Sequence, residues 1–140
     1  MVDLLSGIQT TGAALNAERT RLDVIAENIA NANNTHGPNG KPYQRQVVVF
    51  ENALQQAVNG AATPTAAQVA HIQSDPRSGE TVYSPGNPDA DENGMVAMPN
   101  VNVPEEMADL ISASRAFEAN LAVVRNARTM ALQTLAIGKH

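Results

Sequence analysis

The end of the chain carries a hydrophobic pattern typical of one long helix. From Pro104 to Ile137, apolar or small residues recur at alternating steps of three and four positions. This spacing keeps one stripe on one helix face, and a seven-residue period favours left-handed packing against another helix. The stripe begins at Met107, and its apolar members that we expect to form helix contacts are Leu110, Phe117, Leu121, Val124 and Leu135. A helix of this length spans roughly 50 Å at 1.5 Å per residue, so we expect part of the stripe to need a partner.

The beginning of the chain carries a second stripe of the same period. It runs from Asp3 to Ala32, and Gly12 and Glu18 interrupt it near its middle. Its apolar members are Ile8, Leu15, Leu22, Ile25 and Ile29. Because the two stripes match in length and period, we predict that the chain ends pack against each other as an antiparallel coiled coil.

Between these helices the pattern changes to short runs typical of strands. The run from Tyr43 to Phe50 is β-branched and aromatic, and it predicts a strand. Three further short strands are predicted at Gln68–Gln73, Glu80–Tyr83 and Met95–Met98. Asparagines between Asn28 and Asn34 and a Gly/Pro-rich turn end the first helix.

Two segments in this middle region have weaker patterns. Glu51 to Val58 predicts a short helix, and Asn59 to Ala67 predicts a flexible loop of Gly, Ala, Thr and Pro. The predicted fold is therefore α+β, with a small β-rich module inserted between two long helices. Its segments are residues 1–36 for the first helix, 37–103 for the module and 104–140 for the second helix.

Composition changes how these helices are interpreted. Apolar residues make up 43% of the chain but aromatic residues only 3%, so a monomer would have a thin core. One interpretation is a self-contained helical adaptor or regulatory protein. The other, which we favour, is a subunit that completes its core against copies or relatives. On this second interpretation the termini are largely disordered in the monomer, since lone helices with exposed stripes are marginal.

Charge and the start of the chain limit the partners that we expect. The net charge is −5 and the isoelectric point about 5.0, which argues against a nucleic-acid or anionic-membrane partner. The chain has no cysteine, so thiolate and disulfide chemistry are excluded. The first residues lack the basic and apolar regions of a cleaved signal peptide. These features indicate a cytoplasmic protein or one exported without cleavage.

Candidate chemistry is sparse. His36, His71 and His140 are far apart, and no nucleophile or phosphate-binding motif occurs. Asp89 to Gly94 matches the first half of a calcium loop, but its twelfth position holds Asn100 instead of the required carboxylate. The alternative is an acidic turn whose side chains cap backbone amides. We therefore expect no cofactor, no metal, no small-molecule substrate and no catalysis.

Several segments resemble the axial proteins of the bacterial flagellum. The segment Leu22–Ala32, followed by Thr35, is similar to the N-terminal signature shared by rod, hook and hook-associated proteins. Six later segments resemble the FlgC family of basal-body rod proteins: Gly40–Phe50, Tyr83–Asp91, Gly94–Val96, Pro99–Val103, Glu105–Met107 and Ile111–Asn120. The residues that carry this signature are Asn28, Asn31, Thr35, Tyr43, Arg45, Asn100, Asn102, Glu106, Arg115 and Asn120. Small departures from the family pattern occur at Asn87, Met95, Met98 and Pro104.

The resemblance implies a structural subunit of the proximal rod, which transmits torque across the periplasm. It implies that the terminal helices pair into an inner coiled coil and pack with neighbouring subunits around the central export channel. The implied partners are other rod proteins, copies of the chain, the adaptor between the rod and the export gate or membrane ring, and the type III export apparatus. Export would proceed without a cleaved signal, and no cofactor or catalytic residue is implied.

Overall fold

The computed structural model describes residues 2–37, 39–55 and 63–137. The elements, in chain order, are α1 (Val2–Ala30), β1 (Gln46–Gln55), β2 (Thr63–Ser74), β3 (Thr81–Tyr83), β4 (Met95–Ala97) and α2 (Val103–Ile137). The predicted α+β class, with long helices at both ends and short strands between them, is confirmed. Neither helix contains a stretch that is long and apolar enough to cross a membrane.

The predicted asparagine-rich end of α1 is confirmed. The backbone N–H of Asn31 donates to the carbonyl of Glu27 at 3.0 Å, and the N–H of Asn34 donates to the carbonyl of Asn31 at 3.0 Å. The amide of Asn31 also donates to the Glu27 carbonyl at 2.9 Å. These bonds satisfy backbone groups that the last helical turn leaves open.

Helix α2 begins at an asparagine cap. The side-chain oxygen of Asn102 accepts from the N–H of Glu105 at 3.3 Å, and its carbonyl accepts from the N–H of Glu106 at 2.9 Å. Such a cap satisfies an otherwise unpaired donor. The two glutamates of the first turn are also favoured by the positive end of the helix dipole.

Helix α1 is the element on which the other large elements assemble, because it packs against α2, β1 and β2. The buried apolar residues of the described chain are few and mostly small: Ala17, Val24, Ile25, Ala32, Val96 and Ala113. Ala113 is completely buried, and alanine allows a close approach between elements. The expected thin core is therefore present, and polar groups complete it.

Strands β1 and β2 form an antiparallel two-stranded sheet. Gln46 lies opposite Ser74 at one end and Gln55 opposite Thr63 at the other, with irregularities after Val49 and after Asn52. The predicted strand that starts at Tyr43 begins three residues later, and the predicted strand at Gln68–Gln73 lies within β2.

Two predictions next to this sheet are wrong. Glu51 to Gln55, predicted as part of a helix up to Val58, continue β1, and residues 56–58 lie outside the described chain. The predicted loop from Asn59 to Ala67 is strand β2 from Thr63 onward, and residues 59–62 lie outside the described chain. An eight-residue helix is marginal on its own, whereas pairing across the sheet satisfies the backbone of both segments.

Strands β3 and β4 form a second small antiparallel sheet, with Val82 opposite Val96. Both overlap the predicted strands. Gly94 precedes β4 with a φ of 75°, a conformation that glycine adopts at little cost. The backbone N–H of Met98 donates to the Glu80 carbonyl at 2.8 Å, which continues the pairing of this sheet just beyond both strands.

Candidate functional site

A buried cluster of polar side chains joins α1, β1, α2 and the loops before and after the strands. We call this cluster the polar junction; its members are Asn28, Arg45, Asp75, Asn100 and Glu106. Glu106 is completely buried, and Asn28 and Asp75 are only 1% and 7% exposed. Buried polar groups are costly unless they are paired, so the geometry of each member decides whether the junction stabilises the fold.

Asn28, near the end of α1, has every polar position of its side chain satisfied. Its Oδ1 accepts from the backbone N–H of Gln46 at 2.8 Å and from the hydroxyl of Tyr43 at 2.9 Å. Its Nδ2 donates to the Gln46 carbonyl at 2.9 Å and to Glu106 Oε2 at 3.0 Å. One amide thus ties α1 to the backbone of β1 and to the first turn of α2.

Glu106 forms the ionic centre of the junction. Its Oε1 accepts from Arg45 Nε at 2.5 Å, while its other oxygen accepts from Asn28. The remaining Arg45 nitrogens lie 3.3 Å from Asp75 Oδ2 and 3.4 Å from Asp109 Oδ2. The buried carboxylate therefore has a charged partner and a neutral donor, which offset its loss of hydration.

Asp75 links the junction to the turn after β2. Its carboxylate accepts from the Arg77 backbone N–H at 3.0 Å and from Arg77 Nε at 2.9 Å. These hydrogen bonds from Arg77, side chain and backbone, lower the pKa of Asp75 from 3.8 to about 2. Because they favour the ionised form, Asp75 stays negative beside Arg45.

Asn100, shortly before α2, fastens the same loops through the backbone. Its Oδ1 accepts from the N–H of Arg45 at 2.7 Å. Its Nδ2 donates to the carbonyls of Asp75 and Arg77 at 3.2 and 2.8 Å. The segments before β1, after β2 and before α2 therefore share one side chain.

The electrostatics of the junction hold its groups in fixed ionisation states. Burial opposes the charge on Arg45, but its hydrogen bond with Glu106 and the attraction of that carboxylate outweigh burial, and the pKa of Arg45 is raised. Burial, with the negative charges of Glu27 and Glu106, raises the pKa of Tyr43, so its hydroxyl remains a donor. The site contains paired charges and hydrogen-bonded amides. Its role is structural, because these bonds hold α1, β1, α2 and the adjoining loops together.

The acidic loop, residues Asp89 to Gly94, makes a separate contact with the turn after α1. Thr35 Oγ1 donates to Asp89 Oδ2 at 2.7 Å, and His36 Nδ1 lies 3.2 Å from Asp89 Oδ1. Asp91 Oδ1 accepts from the backbone N–H groups of Asn93 and Met95 at 2.9 and 2.8 Å. The two bonds to Asp91 are those of a turn whose acidic side chains cap backbone amides, which was the alternative to a calcium loop.

The described histidines lie in separate elements, His36 in the turn after α1 and His71 on β2. His71 is exposed on β2, 3.4 Å from Gln73 Oε1, and His140 lies outside the described residues. In that described part, no three His, Asp or Glu side chains are grouped to hold a metal ion.

The ten apolar residues of the predicted stripes have different surroundings. Ile25 is buried at 5% exposure, Leu135 is 62% exposed, and nothing is described of the Ile8 side chain. The other seven are half-buried: Leu15, Leu22, Ile29, Leu110, Phe117, Leu121 and Val124. Within a single chain the stripes are thus partly covered, and Leu135 does not contribute to the core.

The ten signature residues divide into groups. The structure brings Asn28, Tyr43, Arg45, Asn100 and Glu106 together in or beside the junction. Asn31 and Asn102 cap helix ends, and Thr35 holds the acidic loop. The structure does not bring Arg115 and Asn120 to the junction; Arg115 is exposed on α2 and Asn120 is half-buried there.

The sequence interpretation missed three charged members of this region. Asp75 and Arg77 fall in the predicted turn between two strands, and Asp109 is not singled out by the sequence. Asp75-Pro76-Arg77 carries a local signal, since an Asp side chain often bonds the backbone two residues on. No local signal links this turn to Arg45 or to Glu106.

Comparison with known proteins gives one consistent result. Residues 8–38 match the family model described as flagella basal body rod protein, and residues 92–137 match that of the flagellar basal body rod FlgEFG protein C-terminal region.

Curated relatives match almost from end to end. The flagellar basal-body rod protein FlgC of Yersinia enterocolitica is 41% identical, over 99% of this chain and 100% of its own length. The protein of the same name from Salmonella typhimurium is 43% identical, with 97% and 98% of the two chains covered. That from Bacillus subtilis is 33% identical, with 94% and 96% covered.

Proposed function

This chain belongs to the FlgC family of flagellar basal-body rod proteins, and from that membership we propose how it works within the rod. It is a structural subunit of the basal-body rod and not an enzyme. We propose that its two helices pair as an antiparallel coiled coil, with residues 37–103 as an outer module. The paired helices pack with those of neighbouring subunits, surround the export channel and transmit torque.

The observation that carries this proposal is the uncovered apolar surface of α2. Val123, Met130, Leu132 and Leu135 are each 54% exposed or more. Each large side chain left in water forgoes about 1.5–3 kcal/mol of burial. Val123 and Met130 lie on one face of α2, and Leu132 and Leu135 lie on another. Neighbouring helices on both sides would cover these faces in an assembled rod. A self-contained adaptor would have no such neighbour, which disfavours that alternative.

Contacts between the helices support an antiparallel arrangement. Asn28 of α1 contacts Glu106 of α2, while Arg21, earlier in α1, lies 3.8 Å from Asp109, later in α2. Residue numbers thus rise along one helix as they fall along the other. The ten apolar residues of the stripes, from Ile8 to Leu135, are the proposed helix contacts within and between subunits.

The proposed partners follow from assembly of a rod. They are other rod proteins, copies of this chain and the adaptor between the rod and the export gate or membrane ring. We propose that the chain leaves the cytoplasm through the flagellar type III export apparatus without a cleaved signal. Its final location is the periplasmic part of the basal body. No nucleic acid, small-molecule substrate or cofactor takes part.

A gene deletion tests the function directly. We expect the deletion strain to lose swimming and the rod, while the membrane ring and the export gate remain visible by electron microscopy. Expression of the wild-type chain restores both. Intact, rotating flagella in the deletion strain would contradict the proposal.

A single substitution tests the placement of the helix contacts. Leu121→Asp introduces a charge on the half-buried face of α2, and an unpaired buried charge is strongly unfavourable. We expect this variant to fail to restore rods in the deletion strain, whereas Leu121→Met, which preserves size and apolar character, restores them. Normal swimming of the Leu121→Asp strain would remove this residue from the contact.

A further inference from the structure

The dipeptide Asn-Gly occurs at residues 39–40, 59–60 and 93–94 of the chain. Residues 59 and 60 lie outside the described part, and the other two dipeptides have different surroundings. An asparagine before glycine can react with its own backbone, because glycine has no side chain to hinder attack by its nitrogen. The fold can therefore favour this reaction at one dipeptide and suppress it at the other.

The reaction converts the asparagine side chain into an acid. The backbone nitrogen of the glycine loses its proton to water or hydroxide and bonds to Cγ of the asparagine, while the bond from Cγ to Nδ2 breaks and ammonia leaves. Water then opens the resulting succinimide at either carbonyl carbon, which gives aspartate or isoaspartate. Water is the co-reactant, and no oxidant or reductant is needed. The peptide group between the two residues must first rotate, so that its nitrogen faces Cγ.

At Asn39–Gly40, few contacts hold this peptide group in place. Both residues are exposed, and a Cβ atom added to Gly40 would meet nothing within 4 Å. The N–H of Gly40 donates to the carbonyl of Gly37 at 2.9 Å. Rotation therefore breaks one hydrogen bond of the dipeptide and displaces nothing that is packed against Gly40.

At Asn93–Gly94, several hydrogen bonds hold the same peptide group. The N–H of Gly94 donates to the carbonyl of Asp91 at 2.9 Å, and the carbonyl of Gly94 accepts from the N–H of Ser84 at 2.8 Å. The carboxylate of Asp91 accepts from the N–H groups of Asn93 and Met95, on either side of Gly94. Rotation here must break bonds that join the acidic loop to the segment after β3.

Packing around Gly94 adds to these bonds. Gly94 is buried, and a Cβ atom added there would lie 3.0 Å from Cβ of Pro85 and 3.0 Å from Cε2 of Tyr83. The backbone of Gly94 can turn toward Cγ of Asn93 only if it first separates from these neighbours. Such a local opening has a free-energy cost, and this cost slows every reaction that depends on the open form.

We propose that Asn39 is a site of spontaneous deamidation in the folded chain, and that the fold suppresses the same reaction at Asn93. This inference goes beyond the structural role in the rod and does not depend on it. Each event at Asn39 adds one negative charge to the cleft that Asn39 and Lys41 line together. The isoaspartate product also adds a methylene group to the main chain of this loop.

Peptide mapping measures the reaction at each asparagine. The full-length chain is incubated at mildly alkaline pH, digested with trypsin and analysed by mass spectrometry. Trypsin cuts after Arg45 and Arg77, so the asparagines at 39, 59 and 93 fall in different peptides. A sample taken before incubation corrects for conversion during digestion. We expect Asn39 to convert at least about tenfold faster than Asn93.

Unfolding in guanidinium chloride separates the effect of the fold from that of neighbouring residues. The bonds and packing at Gly94 are then lost, so we expect the rates at Asn39 and Asn93 to become similar. Equal rates in the folded chain would overturn the proposal. A tenfold difference that persists in the unfolded chain would also overturn it, because the neighbouring residues and not the fold would then be the cause.

A substitution in the acidic loop tests the protecting bonds. Asp91→Ala removes the carboxylate that holds the N–H groups of Asn93 and Met95. It should raise the rate at Asn93 severalfold and leave the rate at Asn39 unchanged. Glu92→Gln, at an exposed neighbouring position, should leave both rates nearly unchanged, and circular dichroism checks that both variants are folded. A folded Asp91→Ala chain that converts Asn93 no faster than the wild type would contradict protection by these bonds.

Discussion

The side chain of Asn28 takes the place of a neighbouring strand at the start of β1. It bonds both the N–H and the C=O of Gln46, as a residue of a paired strand does. It also carries the bond to Glu106. One amide therefore links α1 to both β1 and α2. A carboxylate in its place could not supply the two donated bonds.

Substitution of this amide tests its importance. Asn28→Asp replaces the Nδ2 donor with an oxygen and places a carboxylate against Glu106. We expect a loss of about 3 kcal/mol in the free energy of unfolding, measured with urea on the full-length subunit, because a buried charge would lack a partner.

The control is Asn33→Asp in the turn just after α1. Asn33 is exposed, and surface substitutions usually change stability by less than about 0.5 kcal/mol. Equal effects of the two variants would contradict the role of Asn28.

Asp75 makes the stability of the junction depend on pH. Its pKa is about 2 in the folded chain and 3.8 ordinarily, so its contribution is present above about pH 4 and is lost as pH falls through 2. Asp75→Asn should lower the free energy of unfolding by about 1–2 kcal/mol at neutral pH. It should also flatten the decline in urea stability between pH 4 and pH 2.

Glu92→Gln serves as the matched control, since Glu92 is exposed and bonds no described residue. A pH profile of Asp75→Asn that parallels the wild-type profile would contradict the assignment of the acid dependence to Asp75.

Many junction residues were predicted from the sequence, but the contacts that they make with one another were not. Resemblance to a family singled out Asn28, Arg45 and Glu106, which lie in three separate segments. Only the fold brings them together, since no spacing rule connects an arginine before a strand to a glutamate at position 106. Asp75 and Arg77 were missed because their bond to each other is local, while their link to Arg45 depends on how β2 ends.

At the scale of elements, the small β3–β4 sheet depends on a close approach of two backbones. A Cβ atom added to Gly79 would lie 1.9 Å from the Met98 carbonyl oxygen and 3.0 Å from the carbonyl carbons of Met98 and Pro99. Backbone atoms cannot move aside as a flexible side chain does. Gly79 thus allows β3 to lie against the segment that leads into α2.

Gly79→Ala tests this approach. We expect a loss of about 1–3 kcal/mol in the free energy of unfolding, because the strands must separate to admit the methyl group. Gly86→Ala is the control, since a Cβ there would meet nothing within 4 Å. If both variants unfold at the same urea concentration as the wild type, the close packing at Gly79 is not required.

The two helices were predictable because their pattern repeats over many turns. The strands were predicted where β-branched residues dominate, as in Val47 to Val49. The second half of β1 was missed because Asn52, Ala53 and Leu54 have no such signal, and a partner strand after the turn decides their conformation. Tertiary pairing here overrides local propensity.

At the scale of the whole molecule, burial along α2 is uneven. Glu106 and Ala113 are completely buried near its start, whereas Met130, Leu132 and Leu135 are more than half exposed near its end. The part of α2 near the junction is held by tertiary contacts, while the distal part relies on its own marginal helix stability.

Hydrogen exchange should resolve these two parts in the monomer. We expect amides of residues 106–117 to exchange at least about tenfold more slowly than those of residues 124–135. In purified rods both segments should be protected. Uniform strong protection of α2 in the dilute monomer would contradict the need for neighbouring subunits and would favour a self-contained protein.

The placement of the polar junction at one end of a long helix makes α2 a lever arm. From Glu106 to Ile137 the arm is roughly 45 Å long, so a tilt of one degree at the junction displaces the tip by about 0.8 Å. A tilt that a small domain would tolerate therefore displaces the end of α2 by a distance comparable to a van der Waals gap. The ion pairs and amide hydrogen bonds of the polar junction limit this tilt. The fold thus places its most tightly bonded contacts at the base of α2, far from the exposed apolar residues near its end.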